Sequence, residues 1–204
     1  RLAEKYENKQ LCRKYLEMAE KTKKSFAEKF YNEEKHCLYD VLGDSKVRPN
    51  QLFALSLSHP IVDNAEIAEQ VLSTVENKLL NKYGLKTLSS DEDGYVDVYE
   101  GSAYNRDSSY HQGITWPWLL GLYYDALKNT MIIEKNRTKR QELEEKITNL
   151  VDTTKETFKA EMFERSSIGT ISEIYDSTEP YEERGAFAQA WSVAEIFRIV
   201  LNKR

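Results

Sequence analysis

Apolar residues recur at steps of three and four along most of this chain, the period of a helix with one face turned to a core. Residues 1–31 carry Leu11, Tyr15, Met18, Phe26 and Phe30 in that register, with Thr22 at the missing step and Lys and Glu between. After the turn Asn32–Lys35, the stretch Cys37–Val41 is short and β-leaning. Pro49 opens a short helix, because a first-turn proline gives up no hydrogen bond, and leaves Arg48, Asn50 and Gln51 at the entrance. Asp63 is the predicted N-cap of a helix to about Asn81, buried on Ile67, Val71, Leu72, Val75 and Leu79, with Gly84 as its terminating C′ residue. The next helix is predicted to start at Trp116, with Thr115 as N-cap and Pro117 in its first turn, and to run through Leu127. Lys135 to about Glu164 lines up Leu143, Ile147, Leu150, Thr154 and Phe158 on one face. Ala186 to about Leu201 turns Phe187, Ala190, Trp191, Ala194, Phe197 and Leu201 toward the interior.

Two segments lack this period. Residues 85–114 hold a polar loop, Ser89–Gly94, and an alternating stretch, Tyr95–Tyr99, that reads as a short strand; residues 166–180 are irregular. Connections this long inside a compact domain are usually functional, and their aromatics argue against disorder. About six helices with no βαβ alternation give an all-α class with small β excursions, and residues 1–204 read as one domain. The polar and aromatic clusters at Arg48–Gln51, Tyr99–Trp118 and Ile171–Asp176 fall at alternate connections. Antiparallel helix pairs place every second connection at the same end, so these clusters are expected to meet.

The densest chemistry lies in Arg106–Trp118, which holds a guanidinium, a carboxylate, a phenol, an imidazole, a side-chain amide and two indoles. Packing accounts for aromatics near a helix start, but not for Arg, Asp, His and Gln beside them. Flat rings interleaved with planar hydrogen-bonding groups suit a polyhydroxylated ring, whose C–H face stacks while its hydroxyls need donors and acceptors. The net charge of −5 comes without a block of Lys or Arg, so neither nucleic acid nor an anionic membrane is an expected partner. No apolar run is long enough to span a bilayer, and no signal peptide opens the chain. Cys12 and Cys37 make no disulfide framework, and His36, His59 and His111 are scattered, so no metal or other cofactor is implied and a cytoplasmic setting is expected. The chain opens Arg1-Leu2-Ala3-Glu4-Lys5 in mid-helical pattern without a Met, as a piece of a longer protein would.

Seven stretches carry a family resemblance. They are Leu38-Tyr-Asp-Val41, Arg48-Pro-Asn-Gln-Leu-Phe-Ala-Leu-Ser56, Tyr83-Gly-Leu-Lys-Thr-Leu-Ser89, Tyr99-Glu-Gly101, Arg106-Asp-Ser-Ser-Tyr-His-Gln-Gly-Ile-Thr-Trp-Pro-Trp-Leu-Leu-Gly121, Ile171-Ser-Glu-Ile-Tyr-Asp176 and Arg184-Gly-Ala-Phe-Ala-Gln-Ala-Trp-Ser-Val-Ala-Glu195. In this order, from about Leu38 to the end, the chain resembles the C-terminal amylo-α-1,6-glucosidase module of glycogen debranching enzymes. The Tyr-His-Gln-Gly-x-x-Trp-Pro-Trp and Gln-Ala-Trp-Ser signatures together are specific. The resemblance implies an (α/α)6 toroid of six helical hairpins with its active site in a funnel of loops. It also implies inverting hydrolysis of the α-1,6-linked glucose at a glycogen branch point, by two carboxyl groups roughly 6.5–9.5 Å apart. It places the general base at Glu173 and the general acid upstream of Arg1. A toroid needs about twelve helices, so the chain is expected to be the C-terminal half of the catalytic domain, and inactive alone. Its expected partners are glycogen or another branched α-glucan and the missing N-terminal part, with self-association through exposed apolar surface. The Leu38–Arg48 connection is short for the family, and Ser177 stands where glycine is more usual.

Glu173 also suits the role by its setting, in an irregular loop between Ser172 and Ile174 with apolar residues on both sides; Asp176 and Glu100 are its nearest rivals. Trp116, Trp118 and Trp191 are the candidate walls of the sugar pocket, although Trp191 is also at core spacing with Phe187 and Ala194. Arg106 and Asp107 can grip vicinal hydroxyls, or else each other. His111 and Gln112 can donate to the sugar; Arg48, Asn50 and Gln51 sit at an equivalent helix entrance, Glu100 is close in sequence, and Gln189 can reach the same funnel. Two other readings remain: another toroid glycosidase of glucoamylase or trehalase type, and a carbohydrate-binding fragment without activity.

Overall fold

The computed structural model describes residues 2–165 and 169–201. Helices α1 (Leu2–Lys5) and α2 (Lys9–Phe30) divide the single helix predicted for residues 1–31. The break falls at Glu7, with φ of 55°, and Asn8 restarts the helix by accepting from the Leu11 N–H at 3.0 Å. Strands β1 (Tyr31–Asn32) and β2 (Cys37–Leu38) form a hairpin, and Pro49 opens a 3-10 turn, Pro49–Leu52, that runs into α3 (Phe53–Ser56). The cap of α4 (Ala65–Lys78) is Asn64 rather than Asp63: Asn64 Oδ1 accepts from the Ile67 N–H at 3.1 Å, whereas Asp63 is paired with Lys23. Its predicted face is otherwise as expected, with Val71, Leu72, Val75 and Leu79 buried and Ile67 half-buried.

Gly84 does not terminate α4. It lies in β4 (Gly84–Lys86), hairpinned to β3 (Leu80–Asn81), and a Cβ at this position would come within 2.3 Å of the Trp116 carbonyl oxygen. Only glycine lets the neighbouring strand approach that closely. That neighbour is β5 (Thr115–Trp116), so Thr115 is not a helix cap. Its hydroxyl is taken at 2.7 Å by Asn81 Nδ2 and at 2.7 Å by Ser177 Oγ, and its backbone pairs with Lys86 on one side and Tyr175 on the other. The five-stranded antiparallel sheet continues through β6 (Ile174–Tyr175) and β7 (Glu183–Arg184), in the order β3-β4-β5-β6-β7.

Between β4 and β5, α5 (Ala103–Ser109) forms where a loop was expected, capped by Ser102. Tyr95–Tyr99 is not a strand; its backbone bonds to distant loops instead, Val96 N–H to the Gln112 carbonyl at 2.6 Å and Tyr99 N–H to Asp176 Oδ1 at 2.8 Å. Helix α6 (Leu119–Ile133) starts three residues later than predicted, with Pro117 and Trp118 supplying the carbonyls of its first turn. Asn136 caps α7 (Arg137–Glu164), and α8 (Ala190–Leu201) ends the described chain. Residues 166–168 of the irregular segment lie outside the described residues.

The result is helix-rich with small sheets, as expected, but the described residues hold eight α-helices rather than about six. Helix α6 packs against α3, α4, α7 and α8 and buries Leu119, Leu120, Tyr123, Tyr124 and Leu127. Helix α7 turns Leu143, Ile147, Thr154 and Phe158 inward, as its periodicity predicts. Helix α8 corrects the sequence reading: it buries Ser192, Ile196 and Ile199, while Phe187, Ala190, Trp191, Ala194, Phe197 and Leu201 are exposed. Among the described residues no helix is long and apolar enough to cross a membrane.

One buried carboxyl lies behind the sheet. Glu161 is 3 % exposed; it accepts from the Tyr175 hydroxyl at 2.7 Å, and its Oε2 is 3.4 Å from Arg165 Nε. Burial is the largest influence and Glu183 adds to it; against the pull of Tyr175 and Arg165, the carboxyl is pushed from 4.5 up to about 7. A folded-state value raised this way favours the protonated form, so its contribution to stability is full below about 4.5 and is lost as pH rises through 7. Glu161→Gln, uncharged throughout, is therefore expected to gain stability on wild type between pH 5 and pH 8, by at most ~3 kcal/mol. Urea denaturation of both proteins across that range checks it; a constant difference between the two would assign the pH response to other groups.

Candidate active site

The three connections predicted to meet do so. Arg48, at the entrance to the Pro49 turn, donates through Nη1 to the carbonyls of Thr87 (3.1 Å) and His111 (2.8 Å), and through Nη2 to Gln112 Oε1 at 3.0 Å. Tyr110, immediately after α5, donates to Glu173 Oε1 at 2.5 Å. Tyr99 binds Asp176 through its backbone, and Ser177 donates to the Gly113 carbonyl at 2.5 Å. Serine in place of the more usual glycine at 177 thus adds a brace between the second and third connections.

A cleft of about 430 Å³ opens between these segments. His111 and Trp116 form one wall, their rings stacked with centroids 5.4 Å apart; Trp118 and Trp191 form another, stacked at 5.5 Å. Arg48, Asn50 and Gln112 supply polar groups, and the amide nitrogen of Gln112 has no partner among the described residues. Burial and the neighbouring Arg48 charge lower the His111 pKa, which favours a neutral imidazole that offers one donor and one acceptor. Trp116 is 4 % exposed and spends its indole N–H on the Tyr110 carbonyl at 3.2 Å, whereas Trp191 is 47 % exposed. The core explanation for Trp191 therefore fails.

Glu173 is half-buried and does not line this cleft. It stands one side chain behind it, reached through Tyr110, whose ring centroid is 4.8 Å from both His111 and Trp116. The carboxylate also accepts from Gln189 Nε2 at 3.2 Å and from the Ala186 N–H at 2.9 Å. Gln189 precedes α8 rather than lying within it. The rival Asp176 is 3 % exposed and fully engaged, accepting both Nε and Nη2 of Arg184 together with the Tyr99 N–H. Glu100 is exposed and outside the cleft.

Gln51 is buried, with both ends of its amide on backbone: Nε2 donates to the Arg48 carbonyl at 2.8 Å, and Oε1 accepts from the Leu38 N–H at 3.2 Å. It braces Arg48 from inside the core and does not line the cleft. Arg106 and Asp107 do not pair with each other among the described ion pairs, because adjacent residues on helix α5 point apart. Arg106 instead donates to the Gly101 carbonyl at 2.5 Å, and Asp107 is exposed; neither lines the cleft.

Two residues escaped the sequence reading. Tyr110 sits inside the Tyr-His-Gln-Gly signature, so its motif was a signal, but only the structure puts its hydroxyl on Glu173. Asp40, from the Leu38–Val41 stretch, lines the cleft and an adjoining apolar one floored by Phe53 and Leu57.

The cleft thus brings together aromatic walls, hydrogen-bond donors and acceptors, and a carboxylate fixed just behind them. A family model described as amylo-alpha-1,6-glucosidase matches residues 1–198, beginning well upstream of the motifs at Leu38, and the chain belongs to that family.

Proposed function

We propose that this chain is the C-terminal half of an (α/α)6 glycosidase domain that removes α-1,6-linked glucose from branched α-glucans with inversion. The observation that carries the reading is Glu173: a half-buried carboxylate held by three donors, one side chain behind an aromatic cleft. An inverting base stands back from the sugar so that a water can come between them, and Tyr110 ties Glu173 to the wall of that cleft. In this reading Trp118 and Trp191 stack on the glucose ring, His111, Asn50 and Gln112 bind its hydroxyls, and Arg48 holds the two connections in register. Arg106, Asp107 and Glu100 belong to the rim, where a longer glucan passes. The general acid, a second carboxylic acid across the sugar, comes from the N-terminal part of the same domain.

The half-toroid is supported by packing. Helix α6 packs against α3, α4, α7 and α8 together, as an inner helix of a toroid does. Helices α2 and α8 both keep apolar residues exposed, among them Leu11, Tyr15, Phe197 and Leu201. Contact with the upstream half would cover them, and without it they favour self-association.

The test uses the full-length protein with four disaccharide or trisaccharide substrates. Panose and isomaltose are expected to release glucose, first as the β-anomer, with maltose and trehalose cleaved far more slowly. Preference for maltose or trehalose would instead select the glucoamylase- or trehalase-type reading, and α-glucose as first product would rule out inversion.

A further inference from the structure

The two oxygens of Glu173 are not equivalent. Oε1 accepts two hydrogen bonds, from the Tyr110 hydroxyl at 2.5 Å and Gln189 Nε2 at 3.2 Å; Oε2 accepts one, from the Ala186 N–H at 2.9 Å. Each carboxylate oxygen offers about two lone pairs, so Oε1 is filled and Oε2 keeps one open. Beside Oε2 stands Gly185, with φ of 69°, where a Cβ would lie 2.4 Å from that oxygen. A side chain there would press on that oxygen and turn the carboxylate, so glycine at 185 lets Glu173 keep this orientation. Tyr110 is itself fixed. Its ring is packed 4.8 Å from His111 and Trp116 and 5.7 Å from Tyr99. Burial first, and then the bond and charge of Glu173, push its phenol well above the ordinary value, which keeps it a donor.

We propose that Oε2 of Glu173 is the atom that takes the proton of the attacking water, and that Tyr110 is the positioning residue that holds it there by occupying Oε1. This rests on Glu173 being the general base. As the water oxygen bonds to the anomeric carbon, its proton passes to Oε2 and the glycosidic C–O bond breaks. The leaving oxygen then takes a proton from the carboxylic acid across the sugar. A carboxylate without the phenol can swing about its terminal bond and present either oxygen; Gln189, with the longer hydrogen bond, restrains it less. Tyr110 thus links the cleft wall to the base, so the ring that packs against His111 and Trp116 also sets the direction of proton transfer.

The test is Tyr110→Phe in the full-length enzyme, which keeps the packed ring and removes only the hydroxyl. With α-glucosyl fluoride as substrate the leaving group needs no proton, so the assay reads the base side alone. We expect kcat to fall by about 10- to 100-fold, the loss of one hydrogen bond to a charged acceptor, with KM and melting temperature nearly unchanged. Placed in a Glu173→Gln background, the same change should cost nothing further, because its effect runs through the carboxylate. A full second loss in that background, or a change confined to KM, would put Tyr110 on the sugar and overturn the proposal. Wild-type turnover of Tyr110→Phe beside an inactive Glu173→Gln sinks the positioning role alone; wild-type turnover of Glu173→Gln sinks the reading of the site itself.

Discussion

Glu173→Gln in the full-length enzyme is expected to lower turnover on panose by about 10²- to 10⁴-fold or more, while saccharide affinity stays near wild type. Glutamine preserves the size of the side chain and one acceptor, so its carbonyl can keep the Tyr110 and Gln189 bonds. Its amide nitrogen then faces the Ala186 N–H, donor against donor, and no lone pair is left to take a proton from water. The unpaired donor costs roughly 1–3 kcal/mol if it stays dry, and less where water reaches it, as it does at a half-buried position. In the proposed reading affinity depends on the walls and polar groups of the cleft, none of which Glu173 touches within the described hydrogen bonds. Kinetics with panose and calorimetry with the same sugar separate the two effects. Turnover like wild type would remove Glu173 from the mechanism and turn attention to Asp107, the exposed carboxylate of the central motif.

The sequence made some of this legible and concealed the rest for identifiable reasons. Helices α4 and α7 were readable because each carries one apolar stripe and buries it. The same period misled at α8, since periodicity shows that a face is apolar but not what covers it; Ser192, Ile196 and Ile199 are buried there instead. Two-residue strands leave too little alternation to detect. Thr115 has the chemistry of an N-cap, and its competing partners Asn81 and Ser177 lie 34 and 62 positions away, so no local pattern reveals them. In the site, motif resemblance picked out Arg48, Gln51, His111, Gln112 and Glu173 as a group, but not the division of labour among them. Which polar group braces the loops and which is left for a ligand depends on long-range hydrogen bonds such as Arg48 to Gln112 and Tyr110 to Glu173.

The three indoles show that division most clearly. From the sequence they are alike; in the structure Trp116→Ala and Trp191→Ala should fail in opposite ways. Trp116 is 4 % exposed and lies in the central strand, packed against His111 and Tyr110, with its N–H on the Tyr110 carbonyl. Truncation there leaves a cavity beside the ring that holds Glu173, at a cost of about 3–5 kcal/mol. Trp191 is 47 % exposed and touches the core by one edge-on contact with Trp116, centroids 6.0 Å apart, and a stack on Trp118. Its removal forfeits two aromatic pairs, each about 0.5–1.5 kcal/mol beyond the area it buries and the exposed stack on Trp118 at the low end, and with them half of the wall proposed to stack on the sugar. Urea denaturation of the 204-residue chain should therefore separate Trp116→Ala clearly from wild type and Trp191→Ala only slightly. Sugar affinity in the full-length enzyme should fall about tenfold for Trp191→Ala, a loss of ~1.4 kcal/mol. A large stability loss with unchanged affinity at Trp191 would return it to the core; a Trp116→Ala protein as stable as wild type would mean that β5 does not depend on its indole.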